Sequence, residues 1–146
     1  VFELKNLDPT HPIIGELDDI FYCPQSRHAG IADEDMEKAS EEGRLKLLAY
    51  GSQAGYTIFS TADDRFIAHT GHPEYNATRL ADEAKRDKDN PSVMPPENFN
   101  FDNPINRWRS HRNIFFTQWV RYCYLSVSTY DMNVEPNFMV SSIESE

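Results

Sequence analysis

The 146-residue sequence predicts a single α/β unit. Three observations predict it. LKLLAY (45–50), YTIFST (56–61) and RFIAHT (65–70) are β-branched and aromatic runs separated by a Gly51-to-Gly55 break and an Asp63-Asp64 turn. ATRLADEAKRDK (77–88) consists of helix formers, with Leu80 and Ala84 four apart. From Trp108, large apolar residues recur at 108, 115, 119 and 122, the spacing of one helical stripe.

Taken in order, Val1-Phe2-Glu3-Leu4 alternates and predicts a short strand. Asp8-Pro9, His11-Pro12 and Asp18-Asp19 make residues 5–20 loop chemistry, and Ile20-Phe21-Tyr22 is a brief apolar run that stops at Pro24. DEDMEKASEEGR (33–44) holds six acids against two bases, which predicts a short exposed helix over 34–39 capped by Asp33. The three runs at 45–70 predict a hairpin or meander. Asn76 is placed to cap the helix at 77–88, and Asn90-Pro91 ends it. Pro91, Pro95, Pro96 and Pro104, with asparagines at intervals, predict an ordered loop over 90–106. A helix over 108–125 follows. Residues 127–146, with four acids and neither Lys nor Arg, predict a loose tail.

Composition narrows the function. With 24 acids against 14 bases the chain carries −10, which argues against a nucleic-acid or anionic-membrane partner. No apolar run approaches the ~20 residues that span a bilayer. Cys23 and Cys123 have no CxxC spacing, so neither a disulfide scaffold nor a paired thiol site is expected. Cys23 lacks the elbow of a nucleophile, and Cys123 falls on the apolar stripe of the last helix, where a buried thiol is ordinary packing. The basic, aromatic run Arg107–Arg112 is expected to form ion pairs inside the fold or to meet an acidic small molecule. Asn76-Ala77-Thr78 matches a glycosylation sequon by chance.

The segment His69-Thr70-Gly71-His72-Pro73-Glu74 stands at a predicted strand end, just before a helix. In extended backbone His72 and Glu74 share a face, and Pro73 stiffens the link between them. A carboxylate beside an imidazole fixes its tautomer and stabilises its protonated form, as a general base requires. Reading His69, His72 and Glu74 as metal ligands is weaker, because the spacing is not that of a helical zinc motif and no second cluster completes a site.

FYCPQSRHAG (21–30), HTGHPEYNATRLADEAKRD (69–87) and RWRSHRNIFFTQWVRYCY (107–124), with LDPTHP near the start, carry a likeness. In this order they resemble the homoserine O-succinyltransferase family, whose blocks read PxSRY, then TGHPEYD with an Arg-Asp on the next helix, then WRSHxNLLFxNWLNYYVY. The likeness runs to about Asp131, leaving 132–146 as an acidic tail. It implies part of a flavodoxin-like, class I glutamine amidotransferase-like three-layer sandwich. It also implies acyl transfer from acyl-CoA, through a cysteine thioester, to the hydroxyl of homoserine, in methionine biosynthesis. His72 would be the base, Glu74 its orienting group, Ser26 a substrate contact and Arg86 the partner of the acceptor's carboxylate.

A cytoplasmic homo-oligomer is implied, with no permanently bound cofactor and with acyl-CoA as co-substrate. The family's nucleophilic cysteine and a substrate-binding lysine belong to an N-terminal half that precedes the strand matching Val1-Phe2-Glu3. This chain alone is therefore expected to be inactive. It departs from the pattern at His28, where many members have Tyr, at Asn76, where Asp is usual, and in a shorter 90–106 loop. Succinyl-CoA or acetyl-CoA as donor, and homoserine or serine as acceptor, stay open. A non-catalytic binding module related to the family is the alternative of another class.

Overall fold

The computed structural model describes residues 1–27, 29–94 and 96–127. Among these residues five strands and three helices follow in the order β1 (Phe2–Asn6), β2 (Ile20–Cys23), α1 (Asp33–Glu41), β3 (Leu45–Gly51), β4 (Gly55–Thr61), β5 (Ile67–His69), α2 (Arg79–Asp87) and α3 (Arg109–Val127). The strands form one sheet in the order β2-β1-β3-β4-β5, and each neighbouring pair is antiparallel. The α/β class is therefore realised on an antiparallel frame, and β3, β4 and β5 are the expected meander.

The β3–β4 turn closes Gly51 against Gly55, whose φ of +66° an L side chain rarely adopts. The β4–β5 turn is longer than the two acids in the sequence suggest. Asp64 adopts φ 55°, the Thr61 N–H reaches across to the Phe66 carbonyl (3.0 Å), and β5 shrinks to three residues. Asp64 then serves as an anchor. It accepts bonds from Lys46 Nζ (2.5 Å) and Ser60 Oγ (2.6 Å) and faces His11 Nε2 at 3.2 Å. Burial raises the Asp64 carboxyl, but the Lys46, Ser60 and His11 bonds outweigh it and leave its pKa lowered.

Adjacent residues Thr57 and Ile58 of β4 are both fully buried, so the middle of the sheet is covered on both faces. Helix α1 packs on β3 and β4 and buries Met36 and Ala39, so it is more than an exposed acidic face. Asp33 is its first residue and not its cap. Ala32 occupies the cap position, while the Asp33 carboxylate accepts a bond from the Tyr50 hydroxyl. The main core joins Leu4, Phe21 and Cys23 to Leu48, Ile58 and Phe115. It also takes in Ile13, Ile14 and Leu17 from the segment read as loop, where Asn6 Nδ2 bonds the Ile14 carbonyl at 3.0 Å. A second cluster gathers Val1, Leu80 and Trp108.

Helix α3 matches its expected position but not its expected stripe. Trp108 and Phe115 are buried, whereas Trp119 is 44% exposed and Cys123 is exposed as well. At 100° per residue the buried direction passes through Phe115 and Tyr122, with Trp119 about 40° and Cys123 about 80° to one side. The buried thiol expected at 123 is thus a surface thiol. Residue 127 is helical, and the rest of the expected tail, 128–146, lies outside the described residues.

Candidate functional site

The turn between β5 and α2 is built by close approach. Its Gly71 lies so near β2 that a Cβ there would meet Gln25 Nε2 at 2.5 Å and Cys23 Sγ at 2.7 Å. The His72 N–H donates to the Pro24 carbonyl (2.8 Å), and the Gly71 N–H donates to His69 Nδ1 (3.1 Å). Two consecutive amides are thus anchored before the chain reaches the His72 side chain. Trp108, fully buried, holds the far end of the turn by donating from Nε1 to the Tyr75 carbonyl (2.9 Å).

On this frame His72 Nδ1 lies 2.9 Å from Glu74 Oε1. A carboxylate only accepts, so in the neutral ring the proton sits on Nδ1 and Nε2 carries the lone pair. The ring stacks on Tyr75, centroids 4.4 Å apart and planes at 20°. The His72 side chain is 32% exposed and that of Glu74 55%. Among the described residues Nε2 has no hydrogen-bond partner.

Ser26 and Arg86 occupy a different part of the same surface. Both line a cleft of about 810 Å³, together with Gln25, Arg27 and Glu83. Ser26 Oγ donates to Glu83 Oε2 (2.8 Å), and the Tyr75 hydroxyl donates to Glu83 Oε1 (2.8 Å). Glu83 therefore joins the cleft to the aromatic ring that supports His72. Arg86 is exposed and forks onto Asp87, at 2.7 and 2.5 Å, which holds its guanidinium further towards the charged form. His72 and Glu74 stand beside this cleft and do not line it. Arg27 donates to Thr70 Oγ1 (2.8 Å) and to the Ala54 carbonyl, tying the PQSR loop to the end of β5.

Sequence reasoning missed Tyr75, Glu83 and Gln25. Tyr75 directly follows Glu74, but stacking of residues 72 and 75 needs a tight turn that no periodicity announces. Glu83 reads as an ordinary acid on a helix surface. Gln25 has both amide atoms buried without a partner, a feature visible only in three dimensions. Within the basic run, Arg107 lies over the Tyr22 ring, 5.2 Å from its centroid. His111 accepts the Tyr22 N–H and faces Asp18 at 3.2 Å.

Cys23 does not present an activated nucleophile. Cys23 donates to the Pro24 carbonyl (3.3 Å) beneath the turn, and burial pushes its thiol up to about 12. Cys123 is exposed on α3. Among the described residues, no group of three or more His, Cys, Asp or Glu is arranged to hold a metal ion.

A carboxylate-held imidazole at a strand–helix turn, near a mixed polar and apolar cleft, is an arrangement able to do acid–base chemistry on an α/β frame. Residues 1–130 match the family model described as HTS: Homoserine O-succinyltransferase, and the chain belongs to that family. It is 42% identical over 123 residues to a homoserine O-acetyltransferase of Clostridium botulinum (strain Eklund 17B / Type B), covering 80% of this chain and 39% of that protein. It is 36% identical over 135 residues to a homoserine O-acetyltransferase of Geobacillus kaustophilus (strain HTA426), covering 88% of this chain and 42% of the relative. A homoserine O-succinyltransferase of Proteus mirabilis (strain HI4320) is 34% identical over 138 residues, covering 90% and 44%. The chain thus spans less than half the length of these curated relatives. The family is one of homoserine acyltransferases, and no described helix is long and apolar enough to cross a membrane.

Proposed function

We propose that this chain supplies the base and part of the substrate cleft of a homoserine O-acyltransferase. One observation carries the reading: the 2.9 Å contact that fixes His72 on Glu74 with Nε2 unpartnered. In the proposed reaction a cysteine thiolate attacks the carbonyl of an acyl-CoA, and CoA departs as its thiolate and takes up a proton. Homoserine's hydroxyl then gives its proton to His72 Nε2 as its oxygen attacks the acyl-cysteine, and the cysteine leaves as thiolate. Glu74 stabilises the imidazolium so formed. Ser26 contacts the substrate, and Arg86 exchanges its Asp87 fork for the acceptor's carboxylate.

The nucleophile of this scheme lies outside the 146 residues. Cys23 is buried and neutral, and Cys123 sits on an exposed helix face. The chain alone is therefore inactive in this reading. The antiparallel sheet would form one portion of a flavodoxin-like, amidotransferase-like sandwich completed by the segment bearing the cysteine. That enzyme would act in the cytoplasm, in methionine biosynthesis, as a homo-oligomer without a resident cofactor.

Acetyl-CoA is a second donor to weigh, because the relative at 42% identity is named an acetyltransferase. Homoserine acylation by an enzyme of family length carrying this chain, measured with acetyl-CoA and with succinyl-CoA, separates the two. His72→Ala should lower kcat by roughly 10²- to 10⁴-fold with the preferred donor. Undiminished turnover in that variant would remove His72 as the base.

A further inference from the structure

His69, the last residue of β5, has no part in the proposed chemistry, yet its surroundings are specific. Its ring meets Phe115 edge-on, with centroids 5.1 Å apart at 89°. Its Nδ1 accepts the Gly71 N–H at 3.1 Å. An imidazole that accepts at Nδ1 in its neutral form carries its proton on Nε2, and here Nε2 faces Cys23 Sγ at 3.9 Å. Cys23 donates to the Pro24 carbonyl, the same oxygen that receives the His72 N–H. His69, Cys23 and Pro24 thus form one layer that grips the Gly71 and His72 amides in succession.

The layer leaves the turn little freedom. Gly71 already sits where a Cβ would collide with Cys23 and Gln25, so it cannot move inward. Outward movement breaks the bond to His69. A protonated His69 would set a second N–H against the Gly71 N–H and lose the acceptor altogether. The titratable or charged groups around His69 are Tyr22 and Cys23 from β2, His72 and Glu74 from the turn, and His111 and Arg112 from α3; Tyr22, Cys23, His111 and Arg112 share its small cavity. Burial holds His69 neutral by lowering its pKa to about 4.

We infer that His69, as a neutral acceptor for the Gly71 amide, is a positioning residue that fixes where His72 stands, a role that rests on reading His72 as the base. The test compares His69→Leu, which removes the acceptor but keeps apolar bulk, with His69→Asn, whose amide oxygen can replace Nδ1. Both are made in the family-length acyltransferase. His69→Leu should lower kcat by about tenfold or more, since small misplacements of a catalytic group are costly. The KM values for donor and acceptor should stay within about twofold of their starting values, and His69→Asn should recover most of the loss. Gly71 amide hydrogen exchange, followed by NMR, should accelerate about tenfold or more in His69→Leu only.

Unchanged Gly71 exchange in His69→Leu, or unchanged kcat despite faster exchange, would overturn the inference. An equal loss of kcat in the Leu and Asn variants would do the same. If His72→Ala itself keeps full turnover, the functional reading falls, and the exchange rates still decide whether His69 holds the turn.

Discussion

Of the two residues in the candidate base pair, Glu74 is the simpler to isolate, because its one side-chain hydrogen bond among the described residues goes to His72. Glu74→Gln keeps an oxygen that can accept the Nδ1 proton but removes the charge that stabilises imidazolium. It should lower kcat for homoserine acylation by about tenfold or more while the melting temperature stays within a few degrees. A variant with unchanged kcat would show that the pair only shapes the turn. The pairing was legible in the sequence, because residues two apart with a proline between them have few ways to stand. Which face of the ring would be covered was not legible. That depends on Tyr75 folding back in a turn, and on Glu83 reaching Tyr75 and Ser26 from α2. Such contacts join residues up to 57 apart, where alternation and spacing carry no information.

Among the elements, α3 illustrates what periodicity can reveal. Its stripe gave Trp108 and Phe115 correctly, because both meet a packed neighbour. Trp119 and Cys123 broke the pattern, because a hydrophobic spacing records what a helix can bury and not what covers it. Residues 8–19 are loop as expected, but that reading did not reveal their burial. Their prolines and acids read as loop, while Ile13, Ile14 and Leu17 from the same stretch enter the core. Trp108 gives the prediction at this scale. Trp108→Ala removes a fully buried ring and the donor to the Tyr75 carbonyl, and should destabilise the fold by about 3–5 kcal/mol in urea denaturation. Trp108→Phe should cost less, about 1–3 kcal/mol, by leaving that carbonyl without its donor. Equal effects of the two substitutions would mean that the indole N–H contributes nothing.

Across the whole molecule, His69 and Cys23 each make stability depend on pH. His69 titrates at about 4 in the fold against an ordinary 6.5, so between these values the unfolded chain binds the extra proton. Stability from this group is complete above 6.5 and is lost as pH falls toward 4, by up to about 1.4 kcal/mol per unit. Cys23 titrates at about 12 against an ordinary 9.0, so the unfolded chain loses its proton first and stability falls as pH rises from 9 toward 12. Urea midpoints should therefore fall as pH drops from 6.5 toward 4, with His69→Leu reducing that fall. A midpoint that climbs steadily from pH 7 to 5 would contradict this account.

The molecule as a whole also bears on the central claim, since the proposal puts the base at His72 on this chain and the nucleophile on neither Cys23 nor Cys123. The most direct measurement is mass spectrometry of the family-length enzyme after exposure to acyl-CoA without acceptor. The account predicts one acyl adduct, on a cysteine outside residues 1–146, that homoserine discharges rapidly in the parent enzyme and slowly in His72→Ala. An adduct on Cys23 or Cys123, or discharge at the same rate in both proteins, would contradict it.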